Sequence, residues 1–349
     1  MKIFNRACEA VIASLALLVI GLGNKLNDAL FAYMAKKGMV LGALTLVEAA
    51  KINSGDVIRS AVIEMFARES DILRVLPFED IQGNALKYTI ESALPGIGFR
   101  GVNESFPESS GVLNPQTEAL SIVGGDLDVD RFIIQTQGVA VRSTHEQLKI
   151  KALSAGWTAK FIKGDSATNP REFDGLQVRL QNSQVISAGA TAGGAAASLA
   201  ALDELIDSVD DPTHIIMSKA MRRKFTAAGR DQAVSGYVTY TADSFGRRIS
   251  NYNDLPMLVA YGAAGGDDIL PFNEASAAGA ATSTSIYVVS MGPGKLIGIQ
   301  NGGMDVRDLG ELQAAPVFRT RVEWYAGMAM YHARAAARLR HIGNLAIIK

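Results

Sequence analysis

Cysteine, histidine and any excess of charge are all scarce in this chain of 349 residues. The single cysteine, Cys8, excludes an intrachain disulfide framework and any multi-cysteine metal site. A chain built to be stable without oxidation suits a reducing compartment. The four histidines, His145, His214, His332 and His341, show no metal-ligand spacing on a helix, and no Ser or Cys lies in a nucleophile elbow. No catalytic constellation emerges, and an enzyme is not expected. With 34 basic against 35 acidic residues the net charge is −1. Gripping nucleic-acid phosphates calls for a basic excess, because phosphate neutralisation drives that binding. Aromatics are few, at 7%, yet 48% of the chain is hydrophobic, which excludes a disordered protein. The length allows one large domain or two moderate ones with a sizeable core.

The N-terminus carries an apolar run over 10–22, preceded by Lys2 and Arg6 and bordered by Glu9. It is short for a membrane span, and no small-x-small cleavage site follows it promptly. A second apolar segment, 30–46, contains Met34 and Met39. Three readings compete: an arm helix packing on a neighbour, an export signal, or an extension upstream of the true start. The arm is favoured.

Further along, Val57, Ile58, Ala61, Val62, Met65 and Phe66 recur at helical spacing after Ser54, a plausible N-cap, and the helix should end near Ser70. Strands are expected over 81–91 and 120–137. Between them, 94–115 is rich in Gly, Pro, Ser and Asn, so the two strands form an extended hairpin with a long insert. Ser143-Thr-His-Glu146 reads as a capping box opening a helix to about Lys163. Ile150, Leu153, Trp157 and Phe161 form its buried stripe, and Gly164 ends it. The low-complexity segment 187–197 reads as a flexible connection. Ser198 then starts a helix with Leu202, Leu205, Ile206 and Val209 inward, stopped by Pro212. His214-Ile-Ile-Met217 is a short buried strand, and Ser218 caps a helix carrying Met221 and Phe225 and closed by Gly229. With apolar strands at 255–261 and 285–290, residues 198–300 read as a mixed α/β unit.

Met291-Gly-Pro-Gly-Lys295 lacks the spacing of a phosphate loop and is expected to be a β-turn. Asp126, Asp128 and Asp130 alternate, so on a strand they share one face; Arg131 and Gln137 stand where a calcium loop needs Gly and Glu. Three like charges in a row call for facing cations, and a neighbouring subunit could supply them; the alternative is a plain solvated face. Over 317–325, Phe318, Thr320, Val322 and Trp324 would share one face of a long strand, with Arg319, Arg321 and Glu323 on the other. Arg222, Arg223 and Lys224 form a basic cluster that reads as a wet helix face.

The order of these parts carries a resemblance. An amphipathic helix is followed by Gly164-Asp-Ser-Ala-Thr-Asn-Pro-Arg-Glu-Phe-Asp-Gly-Leu176, then an apolar α/β middle, then the charged strand. Over roughly 54 to the C-terminus the chain resembles the major capsid proteins of tailed bacteriophages, whose shell fold is shared with encapsulins. The resemblance implies an α+β chain with an N-terminal arm (1–75), an extended two-stranded loop (76–138), a peripheral domain with a spine helix (139–186 plus 300–349) and an inserted α/β axial domain (187–299). It implies a structural protein of the virion, assembled in host cytoplasm into an icosahedral shell around double-stranded DNA. Near neutrality suits a container in which DNA slides. Implied partners are copies of itself in pentamers and hexamers, a portal, a scaffold or protease, and a decoration protein, with no cofactor and no membrane. Asp126, Asp128, Asp130, Arg319, Arg321 and Glu323 are the expected subunit-interface residues. Some members cross-link Lys to Asn; Lys87 with Asn301 or Asn344 would be the candidates here, and no cross-link is expected. The alternatives are an encapsulin-like compartment around a cargo enzyme, and an exported α/β domain with 1–30 as its signal.

Overall fold

The computed structural model describes residues 44–45, 70–93, 95–106, 108–109, 112–138, 140–230, 238–242, 248–262 and 269–348. The apolar run 10–22 and residues 53–69 of the expected helix lie outside the described residues. The chain divides into units 1–42 and 43–349, and the elements below belong to the second. In chain order they begin with β1 (Leu44–Thr45), α1 (Asp71–Val75), β2 (Pro77–Asp80), β3 (Ala85–Ala93), β4 (Val112–Ala119) and β5 (Ser121–Asp130). Next come α2 (Arg131–Gln137), α3 (Ala140–Lys163), α4 (Leu176–Arg179), β6 (Val185–Ser187), α5 (Leu199–Asp207), β7 (His214–Met217) and α6 (Lys219–Ala228). The remainder is β8 (Val238–Ala242), β9 (Arg248–Tyr252), β10 (Leu255–Val259), β11 (Glu274–Ala275), β12 (Ala281–Val289), β13 (Leu296–Gln300), β14 (Asp305–Glu311), β15 (Val317–Met330) and β16 (Ala336–Gly343).

The first sheet is organised by β15, the longest strand. One edge pairs with β13 over 326–330 and with β14 over 318–323; the other pairs with β5 over 317–326. Strand β2 runs parallel to β13 and carries β1 on its far side. The alternation expected for β15 is present: Thr320, Val322 and Trp324 are buried, while Arg319, Arg321 and Glu323 are only partly so. Helix α3 lies on the inner face. Its expected stripe of Ile150, Leu153, Trp157 and Phe161 is buried, and Trp157 stacks on Phe161 with ring centroids 5.3 Å apart. Phe78 meets Trp157 and Trp324 at 5.7 and 5.1 Å. It reaches them across Gly298, where a Cβ would overlap its ring.

The second sheet has the order β6-β16-β12-β7-β10-β9-β8, with β11 on a free stretch of β12. Each central strand serves two cores by alternation. Ile216, Tyr287 and Val289 join Trp157 and Trp324 in the core between the sheets. Ile215, Met217, Ile286 and Val288 face the other way, against Leu202, Leu205 and Ile206 of α5 and Met221 and Phe225 of α6. Ser218 caps α6 as expected, accepting from the Met221 N–H at 3.1 Å.

Several expectations are corrected. The second hairpin strand is β4, which begins inside the segment read as loop and ends before the strand expected from 120, and it pairs with β3 from Ala85↔Ala119 to Ala93↔Val112. Pro115 obscured it, but a two-stranded ribbon has only edges, where a missing N–H is tolerated. The strand expected over 120–137 ends at Asp130, whose carboxylate accepts from the Phe132 N–H at 2.7 Å and caps α2. Helix α3 begins at Ala140, so Ser143-Thr-His-Glu146 lies within it and is no capping box. The segment 187–197 is tied to the C-terminal strand: the Ala195 N–H donates to the His341 carbonyl at 2.9 Å, and the Ile348 N–H to Ala197 at 2.9 Å. Residues 336–343, grouped in the sequence reading with the spine helix, form β16 in the second sheet. The turn at 291–295 closes as expected, with the Lys295 N–H donating to the Gly292 carbonyl at 3.1 Å. It passes the chain from β12 in one sheet to β13 in the other.

Candidate functional site

The outer face of the first sheet gathers the candidate residues. The β5–β15 register sets Arg319 opposite Asp128 and Arg321 opposite Asp126. Both pairs are bidentate: Arg319 Nε and Nη2 reach Asp128 at 2.6 and 2.6 Å, and Arg321 reaches Asp126 at 2.7 and 2.8 Å. A third link, Arg319 to Asp126 at 3.2 Å, joins the two pairs. The Arg321 guanidinium holds the Asp126 carboxyl below the usual carboxylate range, and Arg319 does the same for Asp128. On the other side, Arg307 of β14 lies 3.8 Å from Glu323 and 2.5 Å from Asp305. Fork-on-carboxylate geometry fixes direction as well as charge, so the face is an ordered array of alternating sign. The cations facing Asp126 and Asp128 come from the same chain, so the face is neither left plainly solvated nor dependent on a neighbour for its first counter-charges. Asp130 stands apart from the array as the cap of α2.

The array is backed by polar contacts on the inner face. Arg142 of α3 donates to Thr320 at 2.8 Å and meets Asp308 of β14 at 2.7 Å. Thr320 donates to Glu146 at 2.9 Å. Lys149 lies over Gly125, where a Cβ would come within 2.7 Å of its Cε. The glycine lets the helix cross close to the strand. Beyond the charges the outer face turns apolar, with Ile122 opposite Tyr325, both exposed.

The β3–β4 hairpin is anchored at its base and bare at its tip. Arg179 of α4 forks onto Glu118, Nη2 to Oε2 at 2.6 Å, and donates from Nε to the Asp174 carbonyl at 2.8 Å. The Tyr88 hydroxyl donates to Glu118 and to the Met330 carbonyl, both at 3.1 Å. Burial, then the Glu118 carboxylate, pushes Tyr88 up to about 12. Leu86 and Tyr88 pack on Ile297, Ile299 and Ala329 of the first sheet. At the far end Ile97 and Val102 are 93% exposed and Phe99 fully so; Phe106 is 63% exposed. Apolar side chains bared together at the end of a ribbon are unusual on a protein surface.

Residues 53–205 match the model of a family described as Major capsid protein GP7. Three solved structures share the architecture over about four-fifths of the chain. The SrpI encapsulin of the holo complex from Synechococcus elongatus PCC 7942 is 17% identical, with a TM-score of 0.55, covering 80% of this chain and 89% of its own. The capsid of a native GTA particle is 12% identical, with a TM-score of 0.57 and coverages of 79% and 91%. A structure of Mycobacterium phage Adephagia is 10% identical, with a TM-score of 0.56 and coverages of 79% and 90%. The fold is the capsid and encapsulin shell fold. Curated proteins offer no match. The shell-fold resemblance read from the order of the parts is thus borne out.

Of the six residues expected at an interface, Asp126, Asp128, Arg319, Arg321 and Glu323 are gathered on one face of the shell fold. The Glu118–Arg179–Tyr88 anchor and the bare tip were missed. The anchor has no local signal in the sequence, since Arg179 and Glu118 are 61 residues apart and meet only through the fold, whereas the tip's Ile97, Phe99 and Val102 lie close together within 94–115.

Proposed function

We propose that this chain is a major capsid protein that self-assembles into an icosahedral shell around double-stranded DNA. The observation that carries the reading is the shell fold itself, presented with an anchored hairpin whose tip exposes Ile97, Phe99 and Val102, uncovered among the described residues. A neighbouring subunit is the natural cover, and repeated many times such a contact supplies assembly energy without a large area per copy. The hairpin serves as the extended loop within 76–138, α3 as the spine helix of a peripheral domain, and the second sheet with α5 and α6 as the axial domain. Because β16 completes that sheet and β13 belongs to the first, the peripheral domain takes 139–184 with 296–335, and the axial domain takes 185–295 with 336–349. Residues 1–75 act as the arm. The array of Asp126, Asp128, Arg319, Arg321 and Glu323 lies at a subunit contact, where its alternating charges fix register. Further partners are a portal, a scaffold or protease and a decoration protein; assembly takes place in host cytoplasm.

The encapsulin relative supports a second reading, the same shell closed around a protein cargo. Electron microscopy of the expressed full chain tests both, with absorbance at 260 and 280 nm on purified particles. Closed shells with a nucleic-acid spectrum are expected in the presence of the packaging machinery. Shells that carry a co-purifying protein and no nucleic acid would favour the compartment. A chain that stays monomeric even with a scaffold would overturn both and leave the exported domain.

A further inference from the structure

The two helices on the outer side of the second sheet divide charge between them. From 199 to 211 the chain has Asp203, Glu204, Asp207, Asp210 and Asp211 and no cation. From 219 to 230 it has Lys219, Arg222, Arg223, Lys224 and Arg230 and no anion. Part of the acidic set is used internally: Asp203 accepts from the Tyr252 hydroxyl at 2.8 Å, Asp210 meets Arg334 at 3.0 Å, and Asp211 meets Lys295 at 3.1 Å. Glu204 and Asp207 of α5, and Lys219, Arg222 and Arg223 of α6, form no ion pair among the described residues, although both helices pack on one core. Within each helix these charges repel at spacings of three and four residues, as Lys219 does with Arg222 and Arg223. Two are also at the unfavourable end of their helix: Asp207 closes α5, and Lys219 opens α6. Among the described residues no ion pair offsets this arrangement.

Beside α6 lies an open groove of about 370 Å³, lined by Ala220, Arg223, Lys224, Ala227, Phe272 and Asn344. Lys224 is already engaged, donating to the Leu345 carbonyl at 2.8 Å with its ammonium 4.9 Å from the Phe272 ring centre. Arg223 is exposed at the rim, and Ala220 and Ala227 leave room for a helix to approach closely. We infer that the basic α6 groove receives the acidic α5 face of a second copy of this chain. Glu204 and Asp207 of one copy then meet Arg222 and Arg223 of the next. Two different surfaces meet, so the contact is head-to-tail and propagates around a closed ring. The inference rests on the shell-subunit reading and names the surfaces by which subunits adjoin within a ring.

Reciprocal charge reversal tests it in the full chain, with shells and rings counted by electron microscopy and sedimentation. The R222E/R223E and E204K/D207K variants should each raise the concentration needed for assembly at least tenfold. Combined in one chain they should restore it, because every acidic surface again finds a basic one; mixed in equal amounts they should restore six-membered rings, in which the two variants can alternate. Circular dichroism melts of each variant separate loss of assembly from loss of folding; the mixture keeps the test valid, since misfolded variants would not rescue one another. Single reversals that assemble like the wild type, a combined variant without rescue, or a mixture that forms no six-membered rings would overturn the inference while leaving the shell reading intact. A wild-type chain that forms neither rings nor shells, even with a scaffold, would instead remove the reading on which it rests.

Discussion

At the scale of single residues, buried polar groups decide which substitutions are costly. Glu118 and Arg179 are mostly buried against one another, with side-chain exposures of 15% and 12%. Removing one partner strands the other's charge in a low-dielectric setting, so Glu118→Ala should destabilise the fold by about 3 kcal/mol in urea titrations. Hydrogen exchange should then rise first at the base of β3 and β4. His214 opens β7 and is held down to about 4 by burial, against an ordinary value of 6.5. As pH falls the unfolded chain therefore binds this proton first. The contribution to stability is complete above 6.5 and declines steadily toward 4. Between pH 7 and 4.5 the loss from this residue should be about 2 kcal/mol. His214→Gln should lose correspondingly less stability over the same interval when the two proteins are compared by chemical denaturation.

Among the elements, α3 is the one on which the first sheet depends. Trp157 fills the centre of the core between the sheets, and its indole N–H has no hydrogen-bond acceptor among the described residues. Its contribution is therefore packing alone. Trp157→Ala should cost about 3–5 kcal/mol, the range for emptying a large aromatic site. Trp157→Phe should cost less than about 2 kcal/mol, because no hydrogen bond is given up. Paired thermal melts of the two variants check the separation. Element boundaries follow similar local accounts. Asp130 ends β5 by capping α2, and Gly138, at a φ of 88°, lets the chain leave α2 and start α3 two residues later. The Phe132-Ile-Ile134 run has strand propensity, yet capping and the turn around Gly138 prevail. That is why the sequence suggested a strand here and the chain forms a helix.

For the whole molecule, stability and assembly are assigned to different surfaces. The two cores are closed within one chain, whereas the tip of the β3–β4 hairpin adds little to either. Replacing Ile97 and Phe99 by Asp should leave the melting temperature of the isolated chain within about 2 °C, as expected for solvated positions away from any core. The same change should abolish shells, since two buried apolar anchors become desolvated charges at the contact. Sedimentation beside a melt separates the two effects. A variant that still assembles would remove the tip from the contact.

The sequence by itself determined which faces are wet and which are dry. The alternation of β15, the stripe of α3, the Ser218 cap and the buried 214–217 strand were legible because each depends on residues two to four positions apart. The segregation of charge between α5 and α6 is also plain in the sequence. Only the tertiary structure decided the partners. Alternation places Arg319 and Arg321 on one face, but their bidentate aspartates are 191 and 195 residues away. The second hairpin strand, the passage of 291–295 between sheets and the entry of β16 between β6 and β12 were equally hidden. Periodicity is set by the geometry of one strand or helix, whereas pairing compares many distant segments, and the lowest free energy among those pairings is reached only when the whole chain has packed.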